Sequence, residues 1–524
     1  AACPRGLELA LARELESTSI GALNVETARA GVWFDGSERT GMNAVLWLRS
    51  ANRVMELLAS ERVQPGRSGE SSWFNKERVY EFCRAQAWSD LLTPEACGAE
   101  SVELCTFAVD ATVGNVDRSI CNTHWTALEV KNALVDAMRE DHKGLRPSVD
   151  TEDPHLPLQL HVHEDRAWLF RCLSPFGSLH RRGYREAMHV AVLRENVAAG
   201  LLLEAGLGPG GHVPSDGSTV LCDPMCGSGT LGIEAALIAT NTAPGLLRWG
   251  RDPTRGVQAL DPPLCCWPDY DPAEWNAVLA EAESAIVASD MHIELNDRHE
   301  GALALARDAF ERAGLAHMAS FTRGDVAEFV PAHQPTLVVT NPPWGRRLGG
   351  AQDGPSGGGG VGAGLPWQDD RREGFDDDDF GGRSMGAARD GPRGRGSRAG
   401  VRDSGDRWDR RGGGHSAARS RAGRGSQSPA VAPETELAWQ DLGRFLKASA
   451  GPEGLDAWVL SGESSLTKNL RMRADRKAVL EVGGVDLRWI KYHVLPPKRE
   501  WLDADGRRTF DAVGAGPSSP RGGD

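Results

Sequence analysis

Two short stretches of this sequence hold chemistry-bearing residues where a backbone can present them. In the first, Asp223 closes the apolar run Val220-Leu221-Cys222 and opens a turn of small residues, Pro224-Met225-Cys226-Gly227-Ser228-Gly229. Gly227 and Gly229 lack a Cβ, so the chain can bend sharply there and lie against a ligand. An apolar stretch long enough for a helix starts at Thr230, and its first N–H groups would face the same place. The second stretch is Asn341-Pro342-Pro343-Trp344, entered from the β-branched run 336–340. Two prolines fix φ and remove two donors, which leaves stiff, outward-facing carbonyls beside an amide and an aromatic plane. That combination suits a planar amine, whose N–H groups the oxygens accept and whose face the ring covers. Alone, the second stretch reads more often as a plain loop; paired with the first about 110 residues earlier, it is specific.

Gly227, Gly229 and Gly232 also spell the dinucleotide pattern G-x-G-x-x-G, which calls for an acid at a strand end about 20 residues on. No such strand lies there. The first candidate is 285–290, ending in Asp290 about 60 residues after Gly229. The two loops together resemble instead those of S-adenosylmethionine-dependent amino methyltransferases, in which the aromatic is usually Tyr or Phe. Trp344 keeps the stacking plane and loses a hydroxyl.

The elements that must position these loops follow from the pattern. Strand, tight loop and helix around Gly227 form the first unit of a doubly wound α/β domain. Before it lie a short helix from Leu9 to Leu15, a strand Gly31–Asp35, and a helix from Gly41 to Leu58 with Leu46, Leu48, Val54 and Leu57 inward. Further helices are expected over 72–88 and 124–139, and half-buried strands over 106–110 and 158–163. This is a small α+β region, not a second Rossmann domain. Helix 437–448, strand 457–460 and strand 487–495 complete the catalytic half.

At 524 residues the chain holds two or three domains, and it has no uncharged apolar run long enough to span a membrane. Its 10 cysteines form no C-x-x-C pair and no zinc-like spacing with histidine, so no metal is expected and an intracellular setting is. Cytoplasm is the plainest compartment. The sequence starts without Met, so a trimmed targeting peptide, with nucleus or plastid as destination, stays open. A net charge of −14 disfavours polyanion binding by the global field, so any RNA surface must come from local basic clusters such as 180–185, 346–347, 471–477 and 498–499.

Five further words, Cys3–Glu8, Leu46–Val54, Val130–Asp136, Arg146–Asp150 and Leu179–Arg185, occur in that order. With the two loops they resemble the THUMP-containing RNA guanine-N2 methyltransferases, closest to the branch acting on bacterial-type large-subunit ribosomal RNA. The resemblance implies a Rossmann-like S-adenosylmethionine-dependent domain preceded by a small α+β region, ferredoxin-like plus THUMP, that holds RNA. It implies cofactor contacts from Asp223, Pro224, Cys226, Gly227, Gly229, Thr230 and Asn341. Asp290, with Asp297 as rival, would take the ribose hydroxyls, and Asp325 the adenine amine. Asn341 and the Pro342 carbonyl would accept the target amine, with Pro343 stiffening the loop and Trp344 stacking. Lys131, Arg146, Arg181, Arg182 and Arg185 would touch RNA. Two departures stand out: 173–178 lacks the usual Asp-x-Ser-Gly-x-Ser pattern, and the second methyltransferase domain fused to some bacterial members is absent from this sequence.

The expected layout is a ferredoxin-like region 1–60, a THUMP-like domain 61–172, the methyltransferase domain over 173–348 and 433–496, and a loose tail 497–524. Residues 349–432, rich in Gly, Arg, Asp and Ser, bury too little apolar surface to offset ordering entropy and are expected to be disordered. The substrate expected is ribosomal RNA, with tRNA as alternative. A DNA adenine-N6 or glutamine-side-chain methyltransferase would share the loops but lack the RNA-holding half. An assembly factor with vestigial activity is the remaining rival, against which the intact loops argue.

Overall fold

The computed structural model describes residues 1–63, 73–174, 178–185, 193–208, 211–214, 216–250, 261–345 and 432–496. The expectations for 349–431 and for 497–524 therefore lie outside the described residues. Strands β1 (Leu23–Ala28) and β2 (Gly31–Asp35) form an antiparallel hairpin, with helices Glu8–Leu15 and Glu38–Trp47 in the same N-terminal region.

The expected helix 41–58 is corrected. Its first half is the helix Glu38–Trp47, begun by Ser37, whose hydroxyl accepts from the Thr40 N–H. Leu48 is extended, and the Arg49 and Ser50 N–H groups are given to the buried Glu14 carboxylate at 2.7 and 3.0 Å. The second half is strand β3 (Met55–Arg62), which leaves Leu57 43 % exposed, whereas Leu46, Leu48 and Val54 are buried as expected.

A five-stranded sheet follows, in the order β3-β7-β6-β4-β5, with β4 (Thr106–Gly114), β5 (Ser148–Val149), β6 (Leu156–His163) and β7 (Arg166–Cys172). The helix Thr123–Asp141 packs on β4, and the helix Lys76–Arg84, capped by Asn75, lies beside it. Alternation decides the core: Leu158, Leu160, Val162, Ala167 and Leu169 all point to that side and are buried.

The second half is a seven-stranded sheet in the order β10-β9-β8-β11-β12-β14-β13. Strands β8 (Val220–Asp223), β9 (His292–Asp297), β10 (Ala319–Arg323), β11 (Leu337–Thr340) and β12 (Leu455–Ser461) run parallel. The last pair, β13 (Arg476–Val482) and β14 (Val485–Val494), is antiparallel. β8 and β11 are buried throughout, as strands of a parallel sheet covered on both faces must be. β13 takes in part of what reads in sequence as a basic cluster: Arg476 leans from it to Glu204 at 3.0 Å.

Candidate active site

The strand order places the site. The chain leaves β8 towards β9 and β10, then returns to the other flank through β11 and β12. In such a sheet the crevice lies at the carboxyl ends of the strands where the order reverses. A cavity of about 800 Å³ lies there, lined by Asp223, Pro224, Cys226, Gly227 and Thr230 after β8, Asp297 at the end of β9, Gly324 and Asp325 after β10, and Asn341 and Pro343 after β11.

The loops are tied to one another by hydrogen bonds. Asn296, almost wholly buried, donates through Nδ2 to the carbonyls of Pro224 at 3.0 Å and Gly324 at 3.1 Å. The Cys226 N–H donates to the Asn296 carbonyl at 2.9 Å. The Asp297 carboxylate accepts the Gly227 N–H at 2.9 Å and the His299 N–H at 2.8 Å. Gly227 has φ 55°, and a Cβ there would meet nothing within 4 Å, so its side-chain space opens onto the cavity. Gly229 is needed for a different reason: it caps the helix Thr230–Ala239 at φ 74°, and a Cβ would press on Ala306 at 3.0 Å.

Two polar groups carry the electrostatics. Asp223 is buried, and desolvation pushes its carboxyl up to about 7, opposed by the Thr340 hydroxyl and the Met225 N–H and reinforced by the charge of Asp297. Asn341 Oδ1 is shielded from solvent and accepts no hydrogen bond among the described residues. An acceptor in that condition costs about 1–3 kcal/mol unless a ligand supplies a donor.

Most of the residues read from the two loops meet here, and several do not. Asp290 is corrected: it precedes β9 and lies beside Gly217, at the end of the sheet opposite the cavity, while Asp297 occupies the strand end. The segment 285–290 is no strand; it follows the helix Pro272–Ser284, with Ile286 and Val287 exposed. Pro342 and Trp344 do not line the cavity. Trp344 is 9 % exposed, lies against Gly462 and donates its indole N–H to the Leu460 carbonyl at 3.2 Å, so its ring is a packing element. The Pro343 carbonyl is taken by the Trp439 N–H at 2.8 Å.

Arg182 and Arg185 are likewise corrected as RNA contacts. Arg182 is buried, donating to the Leu179 carbonyl at 2.8 Å and lying 3.6 Å from the buried Glu234, which also accepts from the Tyr184 hydroxyl at 3.0 Å. Arg185 pairs with the buried Glu195 at 3.2 Å and donates to the Thr230 hydroxyl, at the start of the loop's helix. Arg181 stays at the surface. Lys131 and Arg146 do come together: burial first, then the charges of Arg146 and Arg139, lower the Lys131 ammonium below its ordinary value. Sequence reasoning missed Asn296, although a buried Asn before a strand-end acid is a legible signal. It also missed Ala438, which reaches the cavity from the helix Pro433–Ala448 beyond the long insertion.

Known proteins resemble this chain over most of its length. The chain matches the RlmL ferredoxin-like domain over residues 1–55, the THUMP domain over 75–170, and the RMKL-like methyltransferase domain over 182–355. It is 36 % identical over 359 residues to the ribosomal RNA large subunit methyltransferase K/L of Allochromatium vinosum, covering 67 % of this chain and 43 % of that one. The chain thus spans less than half the length of the relatives it matches. Among solved structures it resembles a possible methylase from Clostridium difficile 630 (TM-score 0.62, 20 % identity, 95 % of this chain and 98 % of that one). It also resembles SMU.472 in complex with S-adenosylhomocysteine (TM-score 0.61, 18 % identity, 95 % and 98 %). At these identities the structures speak to fold alone.

Proposed function

The chain belongs to the THUMP-containing, RMKL-like methyltransferases, and from that premise we propose that it methylates the exocyclic N2 amine of a guanine in large-subunit ribosomal RNA. The observation that carries this reading is the Asn341 side-chain oxygen, buried and without a donor among the described residues, at the edge of a cavity whose other loops suit S-adenosylmethionine. The fit to that cofactor rests on the open space at Gly227, on the two acids Asp297 and Asp325 at neighbouring strand ends, and on the start of the helix Thr230–Ala239, which no side chain caps among the described residues. When bound, the cofactor supplies an electrophilic methyl group.

The protein's part is positioning. A guanine N2 lone pair is conjugated into the ring and points poorly at an electrophile. Asn341 Oδ1, by accepting an amine hydrogen, favours pyramidal character at that nitrogen and turns its lone pair. The loop that presents Asn341 is stiffened by Pro342 and Pro343. No strong base is needed, because methylation leaves a cationic nitrogen whose acidic proton passes to water; the gain comes from orientation and desolvation of the reacting groups. The base must leave its stack to reach the cavity. The basic patch of Lys131, Arg139 and Arg146 supports an RNA acceptor, since phosphate contacts set register while one pocket reads one base.

Asn341→Ala is expected to abolish methyl transfer while leaving affinity for S-adenosylhomocysteine within a few-fold. Tritium incorporation into ribosomal RNA, tRNA, duplex DNA and a release-factor-like protein, beside calorimetry with S-adenosylhomocysteine, checks both halves. A loss of cofactor affinity equal to the loss of activity would sink the division of labour. DNA or protein as best acceptor would sink the RNA assignment.

A further inference from the structure

The five-stranded sheet has helices on one face, and its other face carries large rings, of which Phe170 is buried beside Gln159 while His161 and Trp168 are half-buried. Alternation puts Arg166, Trp168 and Phe170 of β7 on that open side, directly opposite His163, His161 and Gln159 of β6. The rings form a strip. His161 and Trp168 have centroids 5.5 Å apart, and Phe170, two residues along from Trp168, meets Trp33 of the N-terminal hairpin at 5.9 Å. Trp33 and Leu57, the latter opposite Phe170 on β3, remain 44 % and 43 % exposed. The Arg166 guanidinium lies over Trp168 at 5.5 Å, and Arg62 sits beside Arg166 at the strand end. Arg62 is partly offset by Asp165 at 2.6 Å. Asp110, opposite Gln159 on the same face, is likewise offset by Arg53 at 3.1 Å, so in a chain of net charge −14 this face sets guanidinium groups at the margin of flat rings.

Flat rings with guanidinium groups at the margin fit one kind of partner. Unpaired bases stack on aromatic and guanidinium planes, and their phosphates seek cations; bases inside a duplex offer no free face. We propose that this sheet face, centred on Trp168 and Trp33, is a stacking platform for unpaired nucleotides of the RNA substrate, a proposal that rests on the RNA reading above. Its contacts would be to bases, and so differ in kind from phosphate contacts at Lys131, Arg139 and Arg146, on and beyond the helix that covers the opposite face.

The test uses the full chain without cofactor and three probes: an oligouridine RNA, a blunt RNA duplex of equal length, and heparin. Trp168→Ala should weaken oligouridine binding about ten-fold or more, the loss of one stacked base. It should leave duplex and heparin binding within about two-fold and S-adenosylhomocysteine affinity unchanged, while Trp168→Phe should restore most of the loss. Trp33→Ala, at a more exposed ring, should act in the same direction and serves if Trp168→Ala does not fold. Oligouridine binding unchanged in these variants overturns the proposal. So does an equal loss on all three probes, which would mean a merely charged surface, or no RNA binding by the parent at all, which would leave the face to a protein. Methyl incorporation by the same variants separates the two ideas: RNA methylation with no effect on oligouridine binding removes the platform and leaves the proposed function standing.

Discussion

Asp223 shows how a single buried acid links the site to stability. Burial raises its carboxyl from an ordinary value of 3.8 to about 7 in the folded chain. A folded-state value above the unfolded one means stability that is fully present below about 3.8 and is lost as pH rises through about 7. Asp223→Asn removes that dependence, and an amide oxygen can still accept the Met225 N–H. At pH 8 the variant without cofactor should melt several degrees above the parent, with the gap closing towards pH 4, as scanning calorimetry across the range would record. A gap that widened on acidification would refute the assignment.

The connection from Trp47 to Met55 belongs to the scale of elements. Hydrophobic spacing there is helical through Val54, yet the chain leaves the helix because Glu14, on the helix Glu8–Leu15, takes the Arg49 and Ser50 N–H groups and the Ser50 hydroxyl. The same turn meets the catalytic half: Asn196 donates to the Ser50 carbonyl at 3.3 Å and to Asn52 Oδ1 at 2.7 Å. Glu14→Ala would strand three buried donors far from any solvent. Chemical denaturation should show a loss of at least about 2 kcal/mol, with Glu14→Gln recovering part of it. A loss below about 0.5 kcal/mol would mean that the turn holds without the carboxylate.

At the scale of the whole molecule, Arg171 joins the THUMP half to the methyltransferase half. It is 1 % exposed, donates to Glu56 of β3 at 2.9 Å and to both oxygens of Asp269, and lies 4.2 Å from the centroid of Trp267. Trp267 in turn donates to the His155 carbonyl of the THUMP-like half at 2.9 Å. Because Glu56 and Asp269 are themselves about half exposed, Arg171→Ala leaves no deeply buried lone charge, and the expected cost is about 1–3 kcal/mol. Cofactor affinity should hold while methylation of structured RNA falls, since the two halves no longer share one fixed geometry. Equal methylation of structured RNA by variant and parent would show that this junction does not set the register.

Some of this is determined by the sequence alone, for reasons that are local. Glycines at Gly227 and Gly229, prolines after Asn341, and the apolar runs that bracket them act over a few residues. The paired loops, the parallel sheet beneath them and the THUMP-like half are therefore legible in the order of residues. What depends on partners distant in sequence is not. The run ending at Asp290 reads as the second strand because β9 itself buries Glu294 and Asn296 among its apolar residues, and only the neighbouring strands and loops justify those polar groups. Arg182 and Arg185 read as surface cations, and only the fold brings Glu234 and Glu195 to them in the interior. Trp344 reads as a platform, yet Gly462, more than 100 residues later in the chain, gives its ring a place to pack. A motif states which groups are available. Which of them face the cavity is decided by burial, because a polar or aromatic side chain goes wherever tertiary contacts satisfy it best.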